Sequence, residues 1–192
     1  MIIGIEGGLG SGKTLLMVRY LKKDADKGND VRANFKLIDI NYKPLDVMEI
    51  LELNAGGFNL NNLSIAIDEI TVFADCRSSM KKMNKLLSYF ILQTRKRNVT
   101  LYYTTQDINM VDLRLANHTD IRIVAEKIPK NKGGYYENYR KYTIYDLRDL
   151  RNFRYKKFYL DIRPFYKYYD TNEVILPPID TNERKRKIKQ EN

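Results

Sequence analysis

Residues 7–14 of the chain read GGLGSGKT, and residues 63–70 read LSIAIDEI. In the first stretch Gly7, Gly12, Lys13 and Thr14 meet every fixed position of the pattern G-x-x-x-x-G-K-[ST]. The chemistry of that spacing is anion capture. Consecutive backbone N–H groups must turn inward around phosphate oxygens, along a partly left-handed path open to residues without a Cβ. Gly7, Gly8, Gly10 and Gly12 supply it, with Leu9 and Ser11 between them. Lys13 can reach the β- and γ-phosphates as a flexible point charge, and the Thr14 hydroxyl is placed to ligate magnesium. The second stretch ends an apolar run in two acids. Asp68 is suited to hold the water shell of Mg2+, and Glu69 to polarise the water that attacks a γ-phosphate. The two stretches together predict a site that binds ATP and Mg2+ and hydrolyses the nucleotide.

Such residues work only if strands and helices hold them. MIIGI before the loop is a short β-branched run suited to a buried strand, and TLLMVRYLKK after it has apolar residues at helical spacing. The helix fades near Lys27-Gly28-Asn29-Asp30, and its positive N-terminal end aims at the same anion. VRANFKLI then reads as a strand, PLDVMEILELN as a short helix and NAGGFNLNN as a loop. Asp68 and Glu69 belong at a strand's carboxyl end, where ligands bind in open α/β sheets. Residues 79–97 carry Met83, Leu86, Leu87, Phe90 and Ile91 on one helical face, and VTLYYTTQD follows as a strand. If that strand lies beside the one bearing Asp68, Gln106 at its tip lies over the γ-phosphate and can sense hydrolysis. Arg95 and Arg97 have two readings: an arginine that enters a neighbouring subunit's site, or a plain solvated helix terminus favoured by the dipole.

The chain has 192 residues and a formal charge of +10. From residue 126 onward there are 17 Lys and Arg against 10 Asp and Glu, whereas the preceding part has 17 against 14. The same C-terminal third holds 10 of the 15 tyrosines, so cation and aromatic alternate in a way that suits a phosphate backbone and bases. Within it, KIPKNKGGYYENYRKYTIYDL reads as a hairpin turning at Lys132-Gly133-Gly134, and RYKKFYLDIRPFYKYYDT continues the theme. RKRKIK at 184–189 reads as a disordered basic tail. The single Cys76 excludes an internal disulfide, and the lone His118 has no partner at metal-ligand spacing. No apolar run approaches a membrane span, so the expected location is the cytoplasm, that of a host if the chain is viral.

In this order the pieces resemble the FtsK/HerA superfamily of P-loop ATPases. Within it the likeness is to small viral and plasmid members, including DNA-packaging ATPases and the zonular-occludens-toxin-like ATPases of filamentous phages. The residues that carry it are GGLGSGKT at 7–14, IAIDE at 65–69 and RKRNVTLYYTTQDINMVDLRLANHTDIRI at 95–123, with Arg114, Asn117 and Asp120 in its last part. The resemblance implies a RecA-like α/β core over residues 1–125, with a central, mostly parallel sheet flanked by helices. A basic, Tyr-rich β extension of the same domain would occupy 126–182, and the tail 183–192. It further implies a homo-oligomeric ring, a hexamer or pentamer, that moves double-stranded DNA. The alternative is assembly or extrusion work on a capsid, coat or membrane partner. A small-molecule kinase fits less well, because no arginine-rich lid segment precedes the basic third.

Overall fold

The computed structural model describes residues 1–45, 62–74, 98–149 and 154–170. Its centre is β1 (Ile2–Glu6), five residues buried on both faces, as the apolar run IIGI requires. Among the described residues eight strands form one sheet in the order β3-β2-β4-β5-β1-β6-β7-β8. The other strands are β2 (Asp30–Ala33), β3 (Lys43–Pro44), β4 (Leu63–Ile67), β5 (Val99–Thr105), β6 (Ile121–Pro129), β7 (Tyr135–Asp146) and β8 (Arg154–Asp161). Every pairing from β3 to β6 is parallel, while β6–β7 and β7–β8 are antiparallel. This is the α/β architecture expected from the sequence, a RecA-like P-loop core with a β-rich C-terminal extension. β6 belongs to both parts, pairing β1 through Ile123 and β7 through Lys127.

Helix α1 (Lys13–Asp26) buries Leu15, Leu16, Met17, Val18 and Leu21 against the sheet and stops where Gly28 takes φ +85°. A polar anchor fixes its C-terminal turn. Asp24 accepts hydrogen bonds from Ser64 Oγ on β4 and Tyr102 Oη on β5, both at 2.8 Å. Burial and that carboxylate push the Tyr102 phenol well above its ordinary pKa. The core combines α1 with Ile3, Ile5, Val31, Ala66, Ile123 and Ala125 of the sheet. Beyond β8 the chain returns across α1 as a 3-10 strap, Arg163–Tyr168, and pairs Tyr169 with Leu37 near the far edge.

Two expectations need correction. The strand expected over 31–38 ends at Ala33; Asn34 still donates its N–H to the Ala66 carbonyl at 3.2 Å, while its side chain holds the segment after β4. Phe35 and Leu37 are still buried, which accounts for their apolar pattern without a strand. Pro44, expected to open a helix, closes β3, and residues 46–54 lie outside the described residues. So do the expected helix 79–97 with Arg95 and Arg97, Cys76 and the basic tail. The hairpin over 121–146 is present, with Gly133 and Gly134 both at positive φ between its strands.

Candidate active site

Parallel strands deliver their following residues to one edge of the sheet, and the chemistry-bearing residues gather there. β1 runs into the glycine loop, β4 into Asp68 and Glu69, β5 into Gln106 and β2 into Asn34. Gly7 and Gly12 are needed where they stand. Gly7 has φ +150°, and a Cβ there would sit 2.3 Å from the Ala125 carbonyl oxygen of β6. Gly12 has φ +92°, and its Cβ would sit 2.7 Å from Tyr142 Oη. Gly8 differs: its φ is not positive and a Cβ would meet no described residue within 4 Å, so among the described residues nothing in the loop path requires it.

The loop brings Lys13 and Thr14 to the acids of β4. The buried Lys13 ammonium donates to the Gly8 carbonyl at 3.3 Å and lies 3.8 Å from Glu69 Oε1. Thr14 Oγ1 donates to the Asp68 carboxylate at 3.1 Å. Burial pushes the Asp68 carboxyl above its usual range, and hydrogen bonds from Thr104 and Thr14 pull partly the other way. Thr104 has a double role: its hydroxyl donates to Asp68 and accepts the Glu69 N–H at 2.8 Å. Asn34 brackets the same turn, its side-chain oxygen accepting the Asp68 N–H at 2.7 Å and its amide donating to the Asp68 carbonyl at 3.1 Å. These bonds hold Glu69 at φ +48°, in the left-handed region.

The residues present suit a nucleotide phosphate with Mg2+. Ser11 Oγ is buried and finds no hydrogen-bond partner among the described residues, so a donor remains for a phosphate oxygen. Thr14 and Asp68 form an all-oxygen pair, the donor set for a hard cation that keeps waters and phosphate oxygens in its shell. Among the described residues no cluster of three His, Cys, Asp or Glu side chains could replace that arrangement.

Gln106 is exposed one residue beyond β5, directly after Thr105, whose carbonyl accepts the Gly7 N–H at 3.3 Å. Leu9 is exposed at the loop tip. Of the residues in the last resembling block, Asp120 accepts the Ile2 N–H at 2.8 Å, at the edge of the sheet opposite the loop. His118 bonds the Arg114 carbonyl through Nδ1 at 2.8 Å, closing the short helix Leu113–Asn117.

Sequence reasoning missed Asn34, Thr104 and a set of residues that hold the loop from outside. Glu6, buried at the end of β1, accepts from Arg122 of β6 at 2.7 Å and from the Ile108 N–H at 3.0 Å. From β7, Arg140 Nε donates to the Gly10 carbonyl at 3.1 Å and Tyr142 Oη to the Gly12 carbonyl at 2.9 Å. Burial pushes the Tyr142 phenol far above its ordinary pKa, so the hydroxyl remains a donor. Burial, and then the Asp68 carboxylate, raise the phenol of Tyr169, the residue after the strap, to about 12.

A central parallel sheet, a glycine loop opening α1 and an acidic pair on a nearby strand end define the fold of P-loop ATPases. Solved structures with this fold match most of the chain. The N-terminal domain of zonular occludens toxin from Neisseria meningitidis superposes with a TM-score of 0.62 at 21% identity, covering 88% of this chain and 98% of that one. A KaiC-like protein from Pyrococcus horikoshii gives 0.52 at 16% identity, covering 82% of each chain. The DNA-packaging ATPase of Sulfolobus turreted icosahedral virus gives 0.50 at 14%, covering 81% of this chain and 95% of that one. No protein-family model matches the sequence, and no curated protein matches it. The likeness inferred from the sequence thus holds at the level of the P-loop ATPase fold.

Proposed function

We propose that the chain is a Mg2+-dependent ATPase that uses hydrolysis to move double-stranded DNA, in the manner of a genome-packaging motor. One observation carries the ATPase reading: Lys13 and Thr14 of the glycine loop meet Glu69 and Asp68 at 3.8 and 3.1 Å. In this reading the backbone N–H groups of Gly7–Thr14 and the Lys13 ammonium bind the phosphates and orient the γ-phosphate. Thr14 and Asp68 would hold Mg2+, which when bound neutralises phosphate charge. Glu69 accepts a proton from the attacking water, Thr104 fixes the Glu69 backbone, and Gln106 senses the γ-phosphate from the next strand. Arg95 or Arg97 of an adjacent copy would add charge to a ring-shared site.

The nucleic-acid part rests on the open face of β7 and β8. Tyr145 and Tyr155 lie ring to ring at 6.3 Å, Lys157 sits over Tyr155 at 5.5 Å, and Lys141 pairs with Glu126. Tyr155 and Tyr159 are 61% and 65% exposed, a wet aromatic-cationic surface of the kind nucleic acids bind. Among the described residues no helix is long and apolar enough to cross a membrane.

Two titrations test this reading. DNA binding across salt should fall with a log–log slope near −0.9 per phosphate contact. The ATPase rate per chain should rise with protein concentration and with duplex DNA. A flat salt response together with turnover that ignores DNA and rises with a coat protein would transfer the function to assembly or extrusion of that protein.

A further inference from the structure

The β6–β7 hairpin is not regular. Lys127 faces Arg140, yet two residues further along β6 Pro129 faces Tyr135, five residues back along β7. Three extra residues of β7 are therefore taken up in an enlarged bulge over 136–139. The carbonyls of Tyr136, Glu137 and Tyr139 converge on one nitrogen, Arg140 Nη1, at 3.0, 2.8 and 2.9 Å. The Nε of the same guanidinium donates to the Gly10 carbonyl at 3.1 Å. Asn138 of the bulge accepts the Ile162 N–H at 2.9 Å, so the bulge is also tied to the start of the strap.

Peptide N–H and C=O groups point in opposite directions. A loop that turns its N–H groups inward on phosphate must turn carbonyls outward, and each outward carbonyl needs a donor. β7 supplies two, Arg140 to Gly10 and Tyr142 to Gly12. Tyr142 is wholly buried and stacks on Phe158 at 5.2 Å, so it is a fixed post. Arg140 is half-exposed and has its other acceptors in a bulge, where the strand bends and leaves the ladder.

We propose that Arg140 is a positioning residue that couples the bulge of the hairpin to the phosphate loop, so that ATP binding at the loop and ordering of the bulge each favour the other. Reciprocity follows from linkage, because the nucleotide loop and the bulge share one arrangement of the guanidinium. The inference rests on the ATP-binding reading above. Arg140→Lys is the informative variant: a single ammonium can serve Gly10 or the bulge, but lacks the planar fork that serves both.

The experiment compares wild type, Arg140→Lys and Arg140→Ala. It titrates a fluorescent ATP analogue with Mg2+, and follows backbone hydrogen exchange at 136–139 with and without that analogue. Wild type should bind and gain protection across the bulge. Arg140→Lys, with an unchanged melting temperature, should bind about tenfold more weakly, as loss of one charge-assisted bond implies, and show no gain of protection at 136–139. Unchanged affinity in Arg140→Lys, or bulge protection that persists in either variant, would overturn the coupling while leaving the ATP reading intact. A wild-type chain that does not bind the analogue would overturn both.

Discussion

The two halves of the sheet serve the same loop by opposite means. In the parallel half, β1, β4, β5 and β2 act through residues at or just past their carboxyl ends, so each functional group sits at a strand terminus. In the antiparallel half, β6 and β7 act through side chains within the strands, and Arg122, Arg140 and Tyr142 reach sideways to Glu6, Gly10 and Gly12. The first half presents the groups that would react. The second satisfies the outward-facing atoms that the first leaves behind, and so keeps the inward-facing ones in place. A phosphate loop is thus a two-sided object, and only its inner side follows a local motif.

Substitutions on each side can break or sharpen that division. The largest effect belongs to Glu69→Gln, which should lower ATP turnover by about 10² to 10⁴, the usual worth of a general base, while equilibrium binding of ATP persists. Loss of binding in step with turnover would make Glu69 part of the scaffold. Next comes Gly7→Ala, where a Cβ collides with the β6 backbone at 2.3 Å. It should cost about 3 kcal/mol or more in urea unfolding, whereas Gly8→Ala should stay within about 0.5 kcal/mol. Equal costs at the two positions would erase the distinction between the loop's fixed and free glycines.

Asp68→Asn follows, and its effect depends on pH. The folded-state pKa of Asp68 is raised, chiefly by burial, so the native chain holds that proton more tightly than the unfolded chain does. Wild-type stability must therefore fall as pH rises from the ordinary carboxylate value through the raised one, and Asn does not titrate. Unfolding in a chelator should show the variant gaining on wild type from pH 4 toward neutrality. A gain in the reverse direction would mean that Thr14 and Thr104 outweigh burial. The smallest effect is Tyr142→Phe, which removes only the bond to Gly12 and should cost about 1 kcal/mol. Tyr155→Phe on the open face should cost nothing measurable by the same method.

The same division governs what could be read from the sequence. Lys13 and Thr14 follow from spacing within eight residues, and Asp68 and Glu69 from an apolar run ending in two acids, so neighbours along the chain carry the signal. The polar tip YYTTQD drew attention to Gln106, the long amide. Thr104, still inside β5 and aimed at Asp68, was not distinguished from it, because strand phase decides which side chain faces β4. Asn34 was hidden in a run that reads as continuous strand. Arg140 and Tyr142 had no local signature at all. Their roles depend on a register between β6 and β7 that includes a bulge, and on contacts to residues 130 positions earlier.

That separation also sets a timetable. A ribosome makes the glycine loop well over a hundred residues before the donors on β7, a delay on the order of ten seconds at ordinary elongation rates. Until β7 has emerged and found its register, the Gly10 carbonyl lacks Arg140, and the Gly12 carbonyl keeps only the Leu16 N–H of α1. The outer side of the loop is therefore complete only on chains whose late, antiparallel half has been made and docked.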